Sequence, residues 1–346
     1  MAGLSSPASS SPADQRIVVA GCGYWGKNLV RNFHALGALA GVIDPSPAGR
    51  ELAQTLAPGI PVYDSLEGAL SAGGFSGIAI ATPAVTHFET AARAFAAGLD
   101  VFVEKPIALK IEDAVQLVAT ADRLGRILQV GHILEYHPAL PVLSEWISRG
   151  RFGNLRRLQA HRTNWGMIRT EEDAIWSVAP HDIAIMLRLV GRMPEIVAAH
   201  GSHILGTPRA DAVVARLMFS DGVEGHLLSS WYHPVKEQRI MVVGDRGMAL
   251  FDDLSPDRKL CFYNEHVRWN GEKPELVRSE PEVSVLAVEE PLRRECQAFL
   301  DAMYSRRPPL ADGRSGLRVL CVLDACRRSM QYGGAPVPCL PHPVLS

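Results

Sequence analysis

Arg16-Ile-Val-Val-Ala-Gly-Cys-Gly-Tyr-Trp-Gly-Lys-Asn28 decides the fold of this chain. Ile17 to Ala20 is a short apolar run that reads as a buried parallel strand. Gly21, Gly23 and Gly26 follow in G-x-G-x-x-G spacing, and Asn28 to Leu36 then has helical character. Each glycine has a mechanical reason. The first permits a tight strand-to-helix turn, the second lets a pyrophosphate approach the backbone, and the third lets helix and strand pack closely. The phosphates then face a helix N-terminus, where free N–H groups and the dipole favour negative charge. A second apolar run, Leu39 to Ile43, ends in Asp44. An acid at that strand end accepts hydrogen bonds from the adenosine ribose and repels a 2′-phosphate, which predicts NAD over NADP. Pro45 and Ser46 offer no cation to a 2′-phosphate, and Arg50 lies further along the next helix. A glycine turn in some other α/β protein is the alternative. The triplet between a strand and a helix, with an acid on the next strand end, favours dinucleotide binding. Gly21, Gly23, Tyr24, Trp25, Gly26 and Asp44 are therefore candidate cofactor-binding residues.

Strand and helix signals continue to alternate as far as residue 131. Pro61 to Tyr63, Gly77 to Ala81, Asp100 to Val103 and Ile127 to Val130 read as strands, with helices between them, the longest at Ile111 to Leu124. Six strands alternating with helices suit a doubly wound parallel sheet, the Rossmann architecture. The pattern then changes. Leu140 to Ile147 and Val178 to Val190 are helical, and Leu155 to Arg162 is strand-like. From Ile196 to Phe251 come long β segments with hairpin turns at Asp221-Gly222 and Asp245-Arg246-Gly247. The fold class expected is α/β: an N-terminal Rossmann sheet and a C-terminal α+β domain on an open, mainly antiparallel sheet. The domains expected are a disordered tail at 1–14, an NAD-binding domain at 15–131, a substrate and oligomerisation domain at 132–332, and an irregular tail at 333–346. The last helix, within 315–331, has the option of packing back on the first domain.

Composition narrows the function. The chain has 346 residues, long enough for two sizeable cores, and a formal net charge of −2. That balance argues against general nucleic-acid or membrane-surface binding, and no apolar run approaches the roughly 20 residues of a membrane span. Residues 1–14 carry no basic residue and no apolar core of a secretory signal, which predicts a cytoplasmic protein. The six cysteines contain no C-x-x-C pair, and no histidine grouping suggests a metal. Cys22, inside the glycine loop, reads as a packing residue.

Ligands of open α/β sheets bind outside the carboxyl ends of the strands. Thr82-Pro83, with His87 behind them, and Glu104-Lys105-Pro106 lie there and join the candidate cofactor set. Lys105 follows directly on a buried strand and is placed to exchange a proton with a substrate hydroxyl; a salt-bridged lysine is the alternative. Pro106 has the option of a cis peptide. His181, near the start of the Val178–Val190 helix, is the second candidate acid–base group, beside Asp182, with Trp165, Arg169 and Trp176 upstream as a pocket wall. A structural histidine is the alternative. His132, Glu135, Tyr136 and His137 follow the last Rossmann strand and read as substrate-facing or as ordinary loop residues. His87 can simply cap its helix. His161, His200, His203, His226 and His233 read as surface residues.

These motifs resemble the Gfo/Idh/MocA oxidoreductase family from Arg16 to about residue 330. The carriers are the Gly21-to-Gly26 loop, Ala81-Thr82-Pro83 with His87, Glu104-Lys105-Pro106, Gly131-His132 and Ala179-Pro180-His181-Asp182. The resemblance implies a tightly bound nicotinamide cofactor, hydride exchange with a sugar or polyol carbon, and a C-terminal sheet that mediates homodimers or homotetramers. It implies that Lys105 and His181 are the catalytic residues. Two positions depart from the pattern: Ser177 and Ala184 stand where many members have aspartates flanking this histidine. Gly131-His132-Ile133, Pro138, Arg169 and Ala179-to-Ile183 are similar to the branch acting on nucleotide sugars. That branch implies a sugar or nucleotide-sugar substrate, and His132, Tyr136, Arg162, Trp165, Arg169, Trp176 and Asp182 are the candidate substrate contacts. Arg162 or Arg169, just upstream of the His181 motif, is placed to hold the diphosphate; solvated arginines or carboxylate partners are the alternative. Free-sugar or inositol oxidation and a silent NAD-binding sensor or scaffold are the alternatives.

Overall fold

The structure, a computed structural model, describes residues 15–166, 168–340 and 344. The tail expected at residues 1–14 lies outside them, as does most of the segment from residue 341. The chain divides into two compact units. One runs up to Gly131 and takes in Glu290–Leu317; the other comprises His132–Glu289 and the chain from Arg318 onward.

The first unit is built in chain order from β1 (Ile17–Ala20), α1 (Gly26–Ala35), β2 (Leu39–Ile43), α2 (Pro47–Leu56), β3 (Val62–Tyr63), α3 (Leu66–Ala72), β4 (Gly77–Ile80), α4 (His87–Ala96), β5 (Asp100–Glu104), α5 (Ile111–Leu124) and β6 (Leu128–Gly131). The six strands lie in the order β3-β2-β1-β4-β5-β6, and all their pairings are parallel. Central strands β1, β4 and β5 are buried along their whole length, the reason they read as unbroken apolar runs. The strand order reverses between β1 and β4, so a ligand crevice opens at the carboxyl ends of those two strands.

The sequence pattern assigns residues 290–317 to the second domain, with the last helix free to pack back on the first; in the structure Glu290–Leu317 is compact with the first unit. Helix α9 (Pro291–Ser305) belongs to the first unit, where Phe299 packs edge-on against Phe33 of α1 and Phe102 of β5 at 6.4 and 5.9 Å. Helix α10 (Gly313–Gln331) starts in the first unit and continues into the second. A Cβ on its Gly316 would meet Val130 at 2.5 Å, so the helix start lies close on β6.

The second unit contains α6 (Ala139–Ser148), β7 (Leu155–Trp165), α7 (Ala174–Val178), α8 (Pro180–Val190), β8 (Ile196–Ser202), β9 (Ala212–Met218), β10 (Glu224–Ser230), β11 (Tyr232–Gly244), β12 (Met248–Asp252), β13 (Leu260–Tyr263), β14 (His266–Asn270), β15 (Lys273–Val277), β16 (Glu282–Val283) and β17 (Val337–Pro338). Nine of these strands form one sheet, ordered β16-β13-β12-β11-β7-β10-β9-β8-β17. β7 and β10 run parallel; the other described pairings are antiparallel. Burial alternates along β9, with Val213, Ala215 and Leu217 turned into the core. On the opposite face His161, His200 and His226 line a broad cavity of about 550 Å³.

Two expectations are corrected. The helix read from Val178 to Val190 starts at Pro180 as α8, where the missing N–H of proline costs nothing, and Val178 ends the separate helix α7. The irregular tail contains β17, which pairs with β8. The hairpin β14–β15 escapes sequence reading because it is exposed on both faces and shows no alternation. Among the described residues no helix is long and apolar enough to cross a membrane.

Phe299 is fully buried, so Phe299→Ala should remove its packing and leave a cavity costing about 3–5 kcal/mol. Urea denaturation should show a clearly lowered midpoint for the first unit. An unchanged midpoint would mean that α9 is not part of that core.

Candidate active site

In the first unit the site is built on the turn between β1 and α1. Gly21 has φ +93°, and a Cβ there would lie 2.7 Å from the Ala81 carbonyl oxygen, so the turn admits no side chain. Gly26 is demanded by contact, since a Cβ would stand 1.9 Å from the Gly21 oxygen. Gly23 is different. A Cβ on it would meet no protein atom within 4 Å, and its φ is not in the left-handed region. Nothing within the unit requires glycine there; its bare backbone leaves room for a ligand. No side chain caps the N-terminus of α1. A pyrophosphate therefore fits this turn, with N–H groups to receive it.

Asp44 closes the turn from the side. Its Oδ2 accepts from the Cys22 N–H at 2.8 Å, and its Oδ1 accepts from the Ser46 N–H at 2.9 Å and the Ser46 hydroxyl at 2.7 Å. Burial pushes the carboxyl up, but these hydrogen bonds, with the charge of Arg50, hold it below the usual carboxylate range. It stays ionised, with acceptor capacity left for ribose hydroxyls. Arg50, expected further along the helix, reaches back and donates to the carbonyls of Asp44 and Pro45 at 3.0 and 2.8 Å. Ser46 and Gly49 were not singled out by motif. Ser46 caps α2, a role its Ser-Pro pairing announces, and a Cβ on Gly49 would lie 2.2 Å from the Asp44 carboxyl carbon. Cys22 is buried as expected, and burial, reinforced by Asp44, pushes its thiol up to about 11. Tyr24 is exposed, with the Lys27 ammonium 5.7 Å from its ring centre.

The ends of β4 and β5 lie beside the turn. The Trp25 indole N–H donates to the Glu104 carboxyl, joining the glycine turn to the end of β5. Lys105 is half-buried, and the peptide bond that joins it to Pro106 is cis. His87 does not cap α4, whose N-cap is Thr86. Its Nδ1 lies 2.8 Å from the Pro106 carbonyl and its Nε2 lies 2.9 Å from the Thr82 carbonyl, so the ring braces both loops from beneath. Burial, helped by the Lys105 charge, lowers its pKa, against the two carbonyls, which favour the charged ring. Thr82 shares a 2.7 Å hydroxyl contact with Thr86.

In the second unit His132 and His181 meet edge-to-face at 6.2 Å. His181 stands in the first turn of α8. Arg162 and Asp182, expected on the substrate, are committed to each other: two hydrogen bonds of 2.8 and 2.7 Å join them, and Asp182 is 1% exposed. Burial works against the Arg162 charge, and Asp182 overcomes it, so the pair holds β7 to α8. Glu135 and His137 are likewise engaged, by Arg188 and Asp253. Tyr136 and Trp176 are buried, and the Arg327 guanidinium lies 5.7 Å from the Trp176 ring centre. Trp165 is exposed and leans on Tyr232 at 4.9 Å, an aromatic platform of which sequence reading names one half. Arg169 is exposed, with its Nε 4.0 Å from Glu172. Among the described residues no group of three or more His, Cys, Asp or Glu could hold a metal ion.

A parallel sheet reversing at β1, a glycine turn kept open at Gly23 and an acid at the end of β2 define a dinucleotide-binding oxidoreductase. The chain belongs to the Gfo/Idh/MocA oxidoreductase family: the model of its NAD-binding Rossmann fold matches residues 15–132, and that of its C-terminal alpha/beta domain matches residues 145–339. It is an NAD-dependent oxidoreductase of the kind acting on CH–OH groups. It is similar to the UDP-N-acetylglucosamine 3-dehydrogenase of Acidithiobacillus ferrooxidans, 30% identical over 88% of this chain and 94% of that protein. A solved structure of that dehydrogenase superposes with a TM-score of 0.80, covering 92% of this chain and 98% of that one at 28% identity. The inositol 2-dehydrogenase of Streptomyces avermitilis is 34% identical over 43% of this chain and 44% of its own. The WlbA dehydrogenase of Bordetella pertussis, solved with NADH and UDP-GlcNAcA, shares the fold at 23% identity, with a TM-score of 0.76 over 95% of this chain and 99% of that one.

Glu104 supplies a pH test of this geometry. Burial pushes its carboxyl up to about 7, against the Trp25 hydrogen bond and the Lys105 charge, from an ordinary 4.5. Below 4.5 both folded and unfolded states carry the proton. As pH rises from 4.5 to 7 the unfolded state loses it first, so stability falls across that window by on the order of 3 kcal/mol. Glu104→Gln cannot titrate and should flatten that fall, read as urea midpoints at about pH 5 and about pH 8. The same slope in both proteins would show that Glu104 does not carry the raised pKa.

Proposed function

We propose that the chain oxidises a secondary sugar hydroxyl to a ketone, and that its substrate is a nucleotide sugar. The specific reading is C3 of a UDP-N-acetylhexosamine or its uronic acid, in polysaccharide or amino-sugar biosynthesis. The observation that carries it is the similarity to a UDP-N-acetylglucosamine 3-dehydrogenase along nearly the whole length of both chains. A cytoplasmic homodimer or homotetramer, with no nucleic-acid or membrane partner, completes the reading.

NAD, held by Gly21, Gly23, Tyr24, Trp25, Gly26 and Asp44 and by the Thr82-Pro83 and Glu104-Lys105 strand ends over His87, supplies the hydride acceptor when bound. In this reading Lys105 takes the proton of the reacting hydroxyl and His181 orients that hydroxyl and shares its proton. Support for Lys105 comes from its place at the end of a buried strand, where its charge is felt by both Glu104 and His87. Support for His181 comes from its place in the first turn of a helix fixed through the adjoining Asp182. Ser177 and Ala184 add no carboxylate, so acid–base work rests on those two residues. Because Arg162 is neutralised by Asp182, Arg169 is the arginine assigned to the diphosphate, with His132, Tyr136, Trp165 and Trp176 as the remaining substrate contacts. The likeness to inositol dehydrogenases favours a free polyol as the second reading, over less than half of the chain.

Lys105→Ala should keep its fold and still bind NAD by fluorescence titration while losing about 10²–10⁴ in kcat. Turnover at the wild-type rate would make Lys105 a structural lysine.

A panel of UDP-sugars, free hexoses and inositols, followed by NADH absorbance, tests the substrate class. The expected result is oxidation of UDP-N-acetylglucosamine or its uronic acid, weakened by Arg169→Ala chiefly in KM. Activity on free sugars or inositol alone would overturn the nucleotide-sugar reading in favour of the second one.

A further inference from the structure

The second unit has a basic groove of about 480 Å³ that the oxidoreductase reaction does not use, lined in part by Arg151, Asp245, Arg246, His266 and Arg268. It lies where β7 begins: Gly244 pairs with Leu155, and the Asp245 N–H donates to the Asn154 carbonyl. Trp165 is at the other end of the same eleven-residue strand, roughly 30 Å away at the rise of an extended chain. The groove is therefore remote, within this unit, from Trp165.

Its charges are not balanced internally. Arg151 is clamped by aromatic rings, 3.8 Å from Phe262 and 5.0 Å from Trp146, and is neutralised by Glu282 at 2.7 Å. The Asp245 carboxylate is turned away onto Asn154 and Arg156, taking the Asn154 N–H at 3.0 Å and its side-chain amide at 2.9 Å. Among the described residues that leaves the guanidinium groups of Arg246 and Arg268 without a hydrogen bond or an ion pair. Glu275 stands opposite Arg268 in the β14–β15 register but takes its hydrogen bond from Asn270. The stem of Arg246 is packed, because its Cγ lies where a Cβ on Gly153 would come within 2.8 Å. The His266 ring is a third donor: its Nδ1 is buried and has no hydrogen-bond partner among the described residues.

Two forked cations and an imidazole around one cavity match the oxygens of adjacent phosphoryl groups, since each guanidinium can grip one group with paired N–H bonds. We propose that this groove is a second anion site, binding a diphosphate group, free or carried by a nucleotide. The site is independent of the reading of the reaction given above.

The test is calorimetric titration of the NAD-saturated protein with inorganic pyrophosphate and, separately, with UDP. The double variant Arg246→Glu, Arg268→Glu should keep its unliganded melting temperature and NAD-dependent turnover, while losing at least tenfold in pyrophosphate affinity. UDP binding tighter than pyrophosphate, and lost in the same variant, assigns a nucleoside diphosphate; equal binding assigns the free anion. No heat of binding, an affinity unchanged in the double variant, or an equal response to chloride at matched ionic strength would overturn the site. Activity on nucleotide sugars can fail while this binding persists, so the two proposals fail separately.

Discussion

The hydrogen bond from the Cys22 N–H to the Asp44 carboxylate organises the first unit more than any other contact. It joins the end of β1 to the end of β2 across the glycine turn, at 2.8 Å and out of solvent. A buried carboxylate is expensive unless its lone pairs are satisfied, and here the backbone of the turn and Ser46 satisfy them. The same bond fixes the orientation of an anion beside the glycine turn. The place of the acid at the end of β2 and the shape of the turn are thus set by one interaction. Gly49 follows from it, because the carboxylate occupies the space a side chain would need.

A second chain of contacts runs from this turn to the ends of β4 and β5. Trp25 joins the turn to Glu104, Glu104 precedes Lys105, and His87 ties the loops after β4 and β5 together through Thr82 and Pro106. Each link uses a buried polar group whose partner is supplied by another strand end. That is why several residues in the motifs hold position and do not themselves present atoms to a ligand. His87 is the plainest case: both ring nitrogens are occupied by backbone carbonyls.

In the second unit the same economy applies to Arg162 and Asp182. Separately, an arginine on a strand and an aspartate next to a histidine both read as substrate contacts. Together they neutralise each other in a buried, two-hydrogen-bond geometry, and removing one partner would leave the other as an uncompensated buried charge. The pair holds the start of α8, and therefore His181, against β7. The charges of Arg246 and Arg268, which find no such partner among the described residues, stand out by contrast.

The succession of strands and helices in the first unit, the glycine turn and the acid at the end of β2 were legible in the sequence because each depends on neighbours close along the chain. Apolar runs bounded by turns report burial, and G-x-G-x-x-G reports a turn with no room for side chains. The membership of α9 in the first unit was not legible, since Phe299 meets Phe33 and Phe102 only after some 200 or more residues of chain have returned. The exposed β14–β15 hairpin left no periodic trace for the same physical reason that it is exposed. The pairing of Arg162 with Asp182 and the backbone locking of His87 were decided by tertiary structure alone: a side chain's type states what it can bind, and only the fold states which partner reaches it first.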